Sequence, residues 1–147
     1  MQVYAIPPRK HLDLSHYGDR YFCLAQQYIR HPEYKQFFDS LPKSSWITLD
    51  NGAGDHDSIS PEELFQVTLQ LLPNEVIPPD FLFEKDKTIK HGQEFIDRLN
   101  LEGLSSIDIL FCPQGNNLAE WMECYEWALD NPAIQTIGLS KITVPKI

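Results

Sequence analysis

The 147-residue chain is poor in cysteine and has no long apolar stretch, and each shortage excludes a class of protein. Its three cysteines include no C-x-x-C pair, so we expect reduced thiols in a cytoplasmic setting and not a disulfide framework. No run approaches the roughly 20 apolar residues of a membrane span, and Met1–Lys10 lacks the apolar segment of a signal peptide. The sequence therefore predicts a cytoplasmic protein with no membrane partner.

Positive charge is also scarce, with 12 Lys and Arg against 21 Asp and Glu and a formal net charge of −9. The basic residues are scattered and form no stripe, so the average field of the chain repels a phosphate backbone. Nucleic acid is expected as a partner only through a local patch, a longer chain or a second polypeptide. The G-x-G-x-x-G and P-loop spacings are missing as well, which argues against dinucleotide and triphosphate binding.

The chain does contain a regular alternation of strand and helix patterns, and 42% apolar residues, enough for a core. Strands are predicted at Gln2–Ile6, Trp46–Leu49, Glu75–Ile77, Ile107–Phe111 and Ile134–Ile137. Helices are predicted at Tyr21–Arg30, at Glu33–Leu41, after a capping box at Ser60, at Asp86–Leu99 and after Asn117. The core face predicted for the last of these helices consists of Leu118, Trp121, Met122, Tyr125 and Leu129. This alternation indicates parallel strands joined by right-handed crossovers.

The predicted fold class is therefore α/β, built from parallel β/α units. Two closures remain open: a doubly wound sheet, or a partial TIM (β/α) barrel of about five strands, since a complete barrel needs about 250 residues. Residues 1–45 are expected to form an N-terminal strand and helical segment, and residues 46–147 the β/α units, in a single domain overall.

Polar or glycine residues follow four of the predicted strands: Asp50, Asp80, Gln114 and Gly138. A parallel sheet brings such positions to one rim, where α/β proteins bind ligands. Taken singly, Asp in such a place is more often a turn former. The turn that contains Asp50 also holds two glycines and an alanine, so a flat ligand can approach its backbone closely.

Three motifs at these strand ends resemble, in order, motifs of the tRNA-guanine transglycosylases. The Asp-Asn-Gly-Ala turn at residues 50–53 resembles the family's Asp-Ser-Gly-Gly-Phe, and the segment 111–115 resembles its strand ending in Val-Gln-Gly-Gly. The segment 137–140 resembles its Ile-Gly-Gly-Leu strand end. The resemblance covers residues 46–147 and extends to phage-type relatives that exchange bases in DNA for deazaguanines.

The resemblance implies a TIM barrel that exchanges guanine for a 7-deazaguanine, with no cofactor. Asp50 would be the general acid/base, and Asp80 would accept hydrogen bonds from the N1–H and 2-amino edge of the base. Gln114 and a backbone N–H near Gly138 would donate to its O6 oxygen. The other residues implied to bind substrate are Asn51, Gly52 and Gly115.

The chain departs from the family in three respects. Leu139 replaces a glycine, and a Pro-Asp-Phe-Leu segment around Asp80 stands in place of Asp-Glu-Cys-Thr-Pro. The family's nucleophilic Asp and its zinc site have no counterpart among the 147 residues, so no metal ligands are predicted. We therefore expect base recognition, with catalysis completed by further strands from a longer chain, and we expect an oligomer or a second polypeptide to complete the barrel. The alternatives are a non-catalytic binding protein of this fold and an unrelated α/β enzyme that uses the acidic rim.

Overall fold

The computed structural model describes residues 4–6, 8–18, 20–53 and 58–139 as strands and helices in regular alternation. The strands are β1 (Tyr4–Ala5), β2 (Arg20–Leu24), β3 (Ile47–Asp50), β4 (Glu75–Val76), β5 (Asp108–Phe111) and β6 (Thr136–Ile137). The α-helices are α1 (Ala25–Arg30), α2 (Pro32–Asp39), α3 (Pro61–Leu71), α4 (Lys85–Leu101) and α5 (Leu118–Asp130), and a 3₁₀ segment spans Arg9–Tyr17. In this part of the chain, no helix combines the length and apolarity that crossing a membrane requires.

The six strands lie in the order in which they occur in the sequence, and every neighbouring pair is parallel. A doubly wound sheet reverses its strand order at a switch point, and this sheet does not. The sequential order is that of an arc of a β/α barrel, in which right-handed crossovers place the helices on one face. The predicted α/β class with parallel β/α units is confirmed, and the order is consistent with a partial barrel.

The two faces of the sheet differ in polarity. Residues aligned across parallel strands share a face. One aligned row is apolar, buried and part of the hydrophobic core: Cys23, Leu49, Val76 and Ile109. The adjacent row, on the opposite face, carries Phe22 on β2 and then Thr48, Glu75 and Asp108. From β3 to β5 this row of the face away from the helices is therefore polar.

Glu75 is the most deeply buried charged residue of this polar face, with 2% of its surface exposed. Its carboxylate accepts hydrogen bonds from Thr48 Oγ1 at 2.8 Å and from Thr136 Oγ1 at 3.0 Å. A buried carboxylate needs such donors because water cannot reach it. The contact between β4 and β6 passes over β5, a span of about 10 Å in a flat sheet, so the sheet curves toward this face.

The prediction of a helix over Tyr21–Arg30 is wrong in its first part. Arg20–Leu24 is a strand inserted between β1 and β3, and the helix begins only at Ala25. The continuous Tyr-Phe-Cys-Leu run is typical of a strand covered on both sides, a pattern that helical spacing alone does not distinguish. The sheet consequently has six strands in the described residues, against the five predicted.

The predicted core face of the helix after Asn117 is wrong for three of its five residues, and the other two, Trp121 and Tyr125, are only half-buried. Leu118, Met122 and Leu129 are exposed, whereas Cys124 and Ala128 are buried. The residues that α5 buries are therefore small, and its large apolar side chains lie toward its outer side. The predicted start of this helix is confirmed, since the Asn117 side chain accepts a hydrogen bond from the backbone N–H of Glu120. The capping box at Ser60 is likewise present at the start of α3.

Helix α4 meets β5 through Gly92, which is buried against the ring of Phe111. A Cβ atom at Gly92 would lie 2.8 Å from Phe111 Cε2, well inside van der Waals contact. Replacing glycine by alanine inside an exposed helix normally stabilises it by up to about 1 kcal/mol. We predict the opposite for Gly92→Ala: a loss of about 1–3 kcal/mol in the free energy of unfolding, because the core is overpacked.

Urea denaturation measures this change, with Asn100→Ala at an exposed position of the same helix as the control. The double variant Gly92→Ala/Phe111→Leu should recover part of the loss, since the smaller side chain vacates the contact. A Gly92→Ala variant as stable as the wild type would contradict this account of the helix–sheet packing.

Candidate functional site

The carboxyl ends of β3, β4 and β5 converge on one carboxylate, Asp80. Asn51, which follows β3, donates from Nδ2 to Asp80 Oδ1 at 2.5 Å. Gln114, which follows β5, donates from Nε2 to Asp80 Oδ2. The structure therefore brings together two of the four residues singled out at strand ends, Asp80 and Gln114, and adds Asn51, with Asp80 bonded to both amides.

Asn51 is 5% exposed and uses both ends of its side-chain amide. Besides Asp80, its Nδ2 contacts the backbone oxygen of Pro78 at 2.6 Å. Its Oδ1 accepts a hydrogen bond from the backbone N–H of Ala53 at 2.7 Å, an Asx-type turn. The residue consequently links the loop after β3 to the loop after β4.

Gln114 is fully buried, and its amide orientation is determined by two partners. Its Oε1 accepts from the backbone N–H of Phe83 at 3.3 Å, while its Nε2 donates to Asp80. Phe83 has a φ of +66°, an uncommon conformation for a residue other than glycine. The hydrogen bond from its N–H to Gln114 helps to hold Phe83 in this conformation.

Burial raises the pKa of the Asp80 carboxyl above its usual range, and the hydrogen bonds from Asn51 and Gln114 act against that rise. The carboxylate also accepts a hydrogen bond from its own backbone N–H. An ionised carboxylate offers about four lone pairs, more than these three donors occupy, so acceptor capacity remains. In the described residues no Lys or Arg forms an ion pair with Asp80, so neutral amides alone support its charge.

A cavity of about 310 Å³ opens beside Asp80 and Asn51. Ile59, Leu64 and Phe81 contribute apolar parts of its wall. A small number of polar groups set in apolar walls is the usual composition of a small-molecule site, and the volume lies at the lower end of the usual range. The cavity thus has the size and lining expected for a small ligand.

Asp50, the residue predicted to be the acid/base, ends β3 and is half-buried. It does not line the 310 Å³ cavity. Burial raises the pKa of the Cys112 thiol, and the charges of Asp80, Asp50 and Glu75 raise it further. These carboxylates therefore lie close enough to Cys112 to act on it, which places Asp50 near the same rim as Asp80.

The three glycines implied to bind substrate are each closely packed. Gly52 has a φ of +74°, and a Cβ atom there would lie 2.6 Å from Gln26 Oε1. Gly115 leaves no room for a side chain, because a Cβ atom would lie 2.3 Å from the backbone nitrogen of Trp121. At Gly138 the corresponding distance to Cys112 Sγ is 2.7 Å. Backbone packing requires glycine at Gly115, and the positive φ favours it at Gly52, whereas the atoms nearest to a Cβ at Gly138 belong to side chains; none of these reasons depends on a ligand.

Two further details of the rim were not predicted from the sequence. Gln26, 1% exposed at the start of α1, packs against the turn that contains Gly52. It was overlooked because β2 was predicted as helix, so the residues after β2 were not recognised as part of the rim. The backbone N–H of Gly138 donates to the Phe111 oxygen at 2.8 Å within the sheet ladder. A donor to a ligand oxygen from this turn must therefore be another group.

No family model, curated protein or solved structure matches this chain. The geometry of the rim is therefore the basis for assigning a function. Among residues 4–6, 8–18, 20–53 and 58–139, no group of three or more His, Cys, Asp or Glu side chains is arranged to hold a metal ion.

Cys112 is half-exposed, yet its environment predicts low reactivity. Since the thiolate is the nucleophile, a raised thiol pKa slows alkylation. We predict that iodoacetamide modifies Cys112 at least about ten times more slowly in the folded protein than in urea at neutral pH. Mass spectrometry of the peptides gives the rate for each cysteine, and Cys112→Ser provides the blank. Equal rates in the folded and unfolded chain would contradict this electrostatic picture.

Proposed function

We propose that the rim formed by β3, β4 and β5 recognises a guanine-type base, guanine or a 7-deazaguanine, as one part of base exchange on nucleic acid. The observation that carries the proposal is the Asp80 carboxylate. It lies beside a cavity of suitable size, and amide donors from two neighbouring loops orient it.

The hydrogen-bonding pattern of the base supports this choice. Guanine presents two adjacent donors, N1–H and the 2-amino group, and a carboxylate presents two adjacent acceptors. Adenine presents an acceptor at N1, and it would leave a carboxylate oxygen facing a lone pair. A buried polar group left without its partner costs about 1–3 kcal/mol, so Asp80 would discriminate strongly between the two bases.

The chemical step would resemble glycoside cleavage. Its transition state is oxocarbenium-like, and retention requires a nucleophilic carboxylate as well as an acid/base. We assign the acid/base role to Asp50, on the strength of its position at the end of β3 next to the Asn51 turn. We assign the nucleophile to no described residue; further strands, carried by a longer chain or by a second polypeptide, would supply it. The nucleic acid, tRNA or DNA, would also be bound largely by those parts, given the net charge of −9.

One observation favours a second candidate, a binding protein that recognises the base without exchanging it. The carboxylates that line the cavity in the described residues are Asp80 and Glu84, and Asp50 is not among them. Incubation with labelled guanine and either tRNA or DNA separates the two candidates, because only the enzyme incorporates the label.

The first test is the affinity for guanine, measured by calorimetry. Asp80→Ala should weaken binding about 10- to 100-fold, because hydrogen bonds to a charged group contribute about 1.5–3 kcal/mol. Asp130→Asn, at an exposed position at the end of α5, is the matched control and should bind as the wild type does. Circular dichroism establishes that both variants are folded.

A series of bases tests the same assignment from the ligand side. Guanine should bind best, hypoxanthine more weakly because it lacks the 2-amino donor, and adenine weakest. Unchanged guanine affinity in the Asp80→Ala variant, or adenine bound as tightly as guanine, would exclude the proposed role of Asp80.

A further inference from the structure

We infer that Asn51 is a positioning residue: it holds Asp80 so that the carboxylate presents only acceptors to the cavity, which limits the ligand class to bases with two adjacent donors. The inference rests on the proposed recognition of the base by Asp80. It gives Asn51 a role different from the direct substrate contact that the sequence resemblance implied.

The first argument is that the Asn51 amide has a single possible orientation. Its Oδ1 accepts from the Ala53 N–H at 2.7 Å, which fixes the oxygen end. Its Nδ2 lies 2.6 Å from the Pro78 oxygen and 2.5 Å from Asp80 Oδ1, so both hydrogens point toward acceptors. A flipped amide would place oxygen against oxygen at both of these contacts. Asn51 can therefore act toward Asp80 only as a donor.

The second argument concerns the state of Asp80. Gln114 donates to its other oxygen, and the Phe83 N–H fixes the orientation of that amide in the same way. Hydrogen bonds donated to a carboxylate favour its charged form, and Asp80 receives them from both side-chain amides and from its own backbone N–H. The two amides therefore favour the ionised carboxylate, although burial raises its pKa.

The charges around Asp80 do not provide this support. Asp50 at the end of β3 and Glu75 on β4 are acidic, and the charge of Asp80 is felt by the thiols of Cys112 after β5 and Cys124 on α5. Glu84, just before α4, lines the same cavity, while Lys85 at the start of α4 is paired with Glu123 at 2.5 Å and Asp86 at 3.4 Å. On α4, Lys87 and His91 lie against the ring of Phe81, the residue after Asp80. Among the described residues, burial and hydrogen bonds, and not charges, shift the pKa of Asp80, so removal of one amide donor should be felt directly.

The first experiment needs no ligand. NMR of the carboxyl carbon follows the titration of Asp80 in the wild type, in Asn51→Ala and in the control Asn100→Ala, an exposed position on α4. Loss of the donor should raise the titration midpoint of Asp80 by about one pH unit, and the control should leave it unchanged. An unchanged midpoint in Asn51→Ala would overturn the inference.

The second experiment uses the nearly isosteric change Asn51→Asp and the sign of a pH dependence. Wild-type affinity for guanine should be constant between about pH 7 and about pH 8, where Asp80 is ionised and the base keeps its N1–H, and should fall on acidification as Asp80 becomes protonated. In Asn51→Asp two carboxyl groups face each other, and the pair binds one proton at a raised pH. That shared proton restores a donor to Asp80, so affinity should increase about tenfold as the pH falls from about 8 to about 6.

If Asn51 only maintained the shape of the site, Asn51→Asp would lose the same fraction of its affinity at every pH. That result would overturn the inference. Asn100→Asp controls for the added charge. Thermal unfolding verifies that Asn51→Asp is folded, so the test remains decisive should Asn51→Ala not fold. If the wild type binds guanine at no pH, base recognition is excluded, and the NMR titration alone then decides whether Asn51 positions Asp80.

Discussion

A carboxylate that is taken out of water must be given hydrogen-bond donors, and at the rim of this sheet that requirement organises the loops. Asp80 receives one donor from the loop after β3 and another from the loop after β5. The same two amides fix the turn at Ala53 and bond the backbone at Phe83. Hydrogen bonds therefore hold the three strand ends together. They also orient the Asp80 carboxylate in the wall of the cavity before any ligand binds.

Glu75 on β4 and Asp80 in the loop after β4 are both carboxylates, but their different partners give them different roles. Glu75 is bonded by two threonine hydroxyls on the concave face, where it joins β3 and β6 to β4. Asp80 is bonded by two amides at the edge of a cavity and keeps acceptor capacity toward it. Glu75 thus contributes to the cohesion of the sheet, whereas Asp80 is placed where a ligand can reach it.

Much of the fold and the approximate location of the site could be predicted from the sequence. The alternation of strand and helix patterns indicated a parallel sheet, and polar residues after buried strands indicated the rim. The short apolar run that forms β2 was not recognised, because a few apolar residues satisfy helical and strand spacing equally well. Nor did the sequence reveal that α5 buries Cys124 and Ala128, since the choice between a small and a large apolar face depends on how closely the helix meets the sheet.

The hydrogen bonds within the rim could not be predicted from the sequence. Asn51, Asp80 and Gln114 could be placed near one another, but spacing does not tell whether such groups bond to a ligand or to each other. The close packing of Gly52, Gly115 and Gly138 could not be predicted either, for the same reason. A glycine at a strand end fits a ligand-binding turn and a tight backbone contact equally well, and only the neighbouring atoms distinguish the two.

The order of the strands has a consequence for how the molecule forms. Each strand pairs with the one synthesised just before it, so every new β/α unit finds its partner already present. Each pairing spans one β/α unit, the shortest connection that parallel strands allow, so the sheet can grow while the chain leaves the ribosome. The rim is the exception, because Asp80 acquires its second amide donor only when Gln114 is in place after β5. The cavity would thus acquire its final form late, one β/α unit after β4, the strand whose following loop carries Asp80.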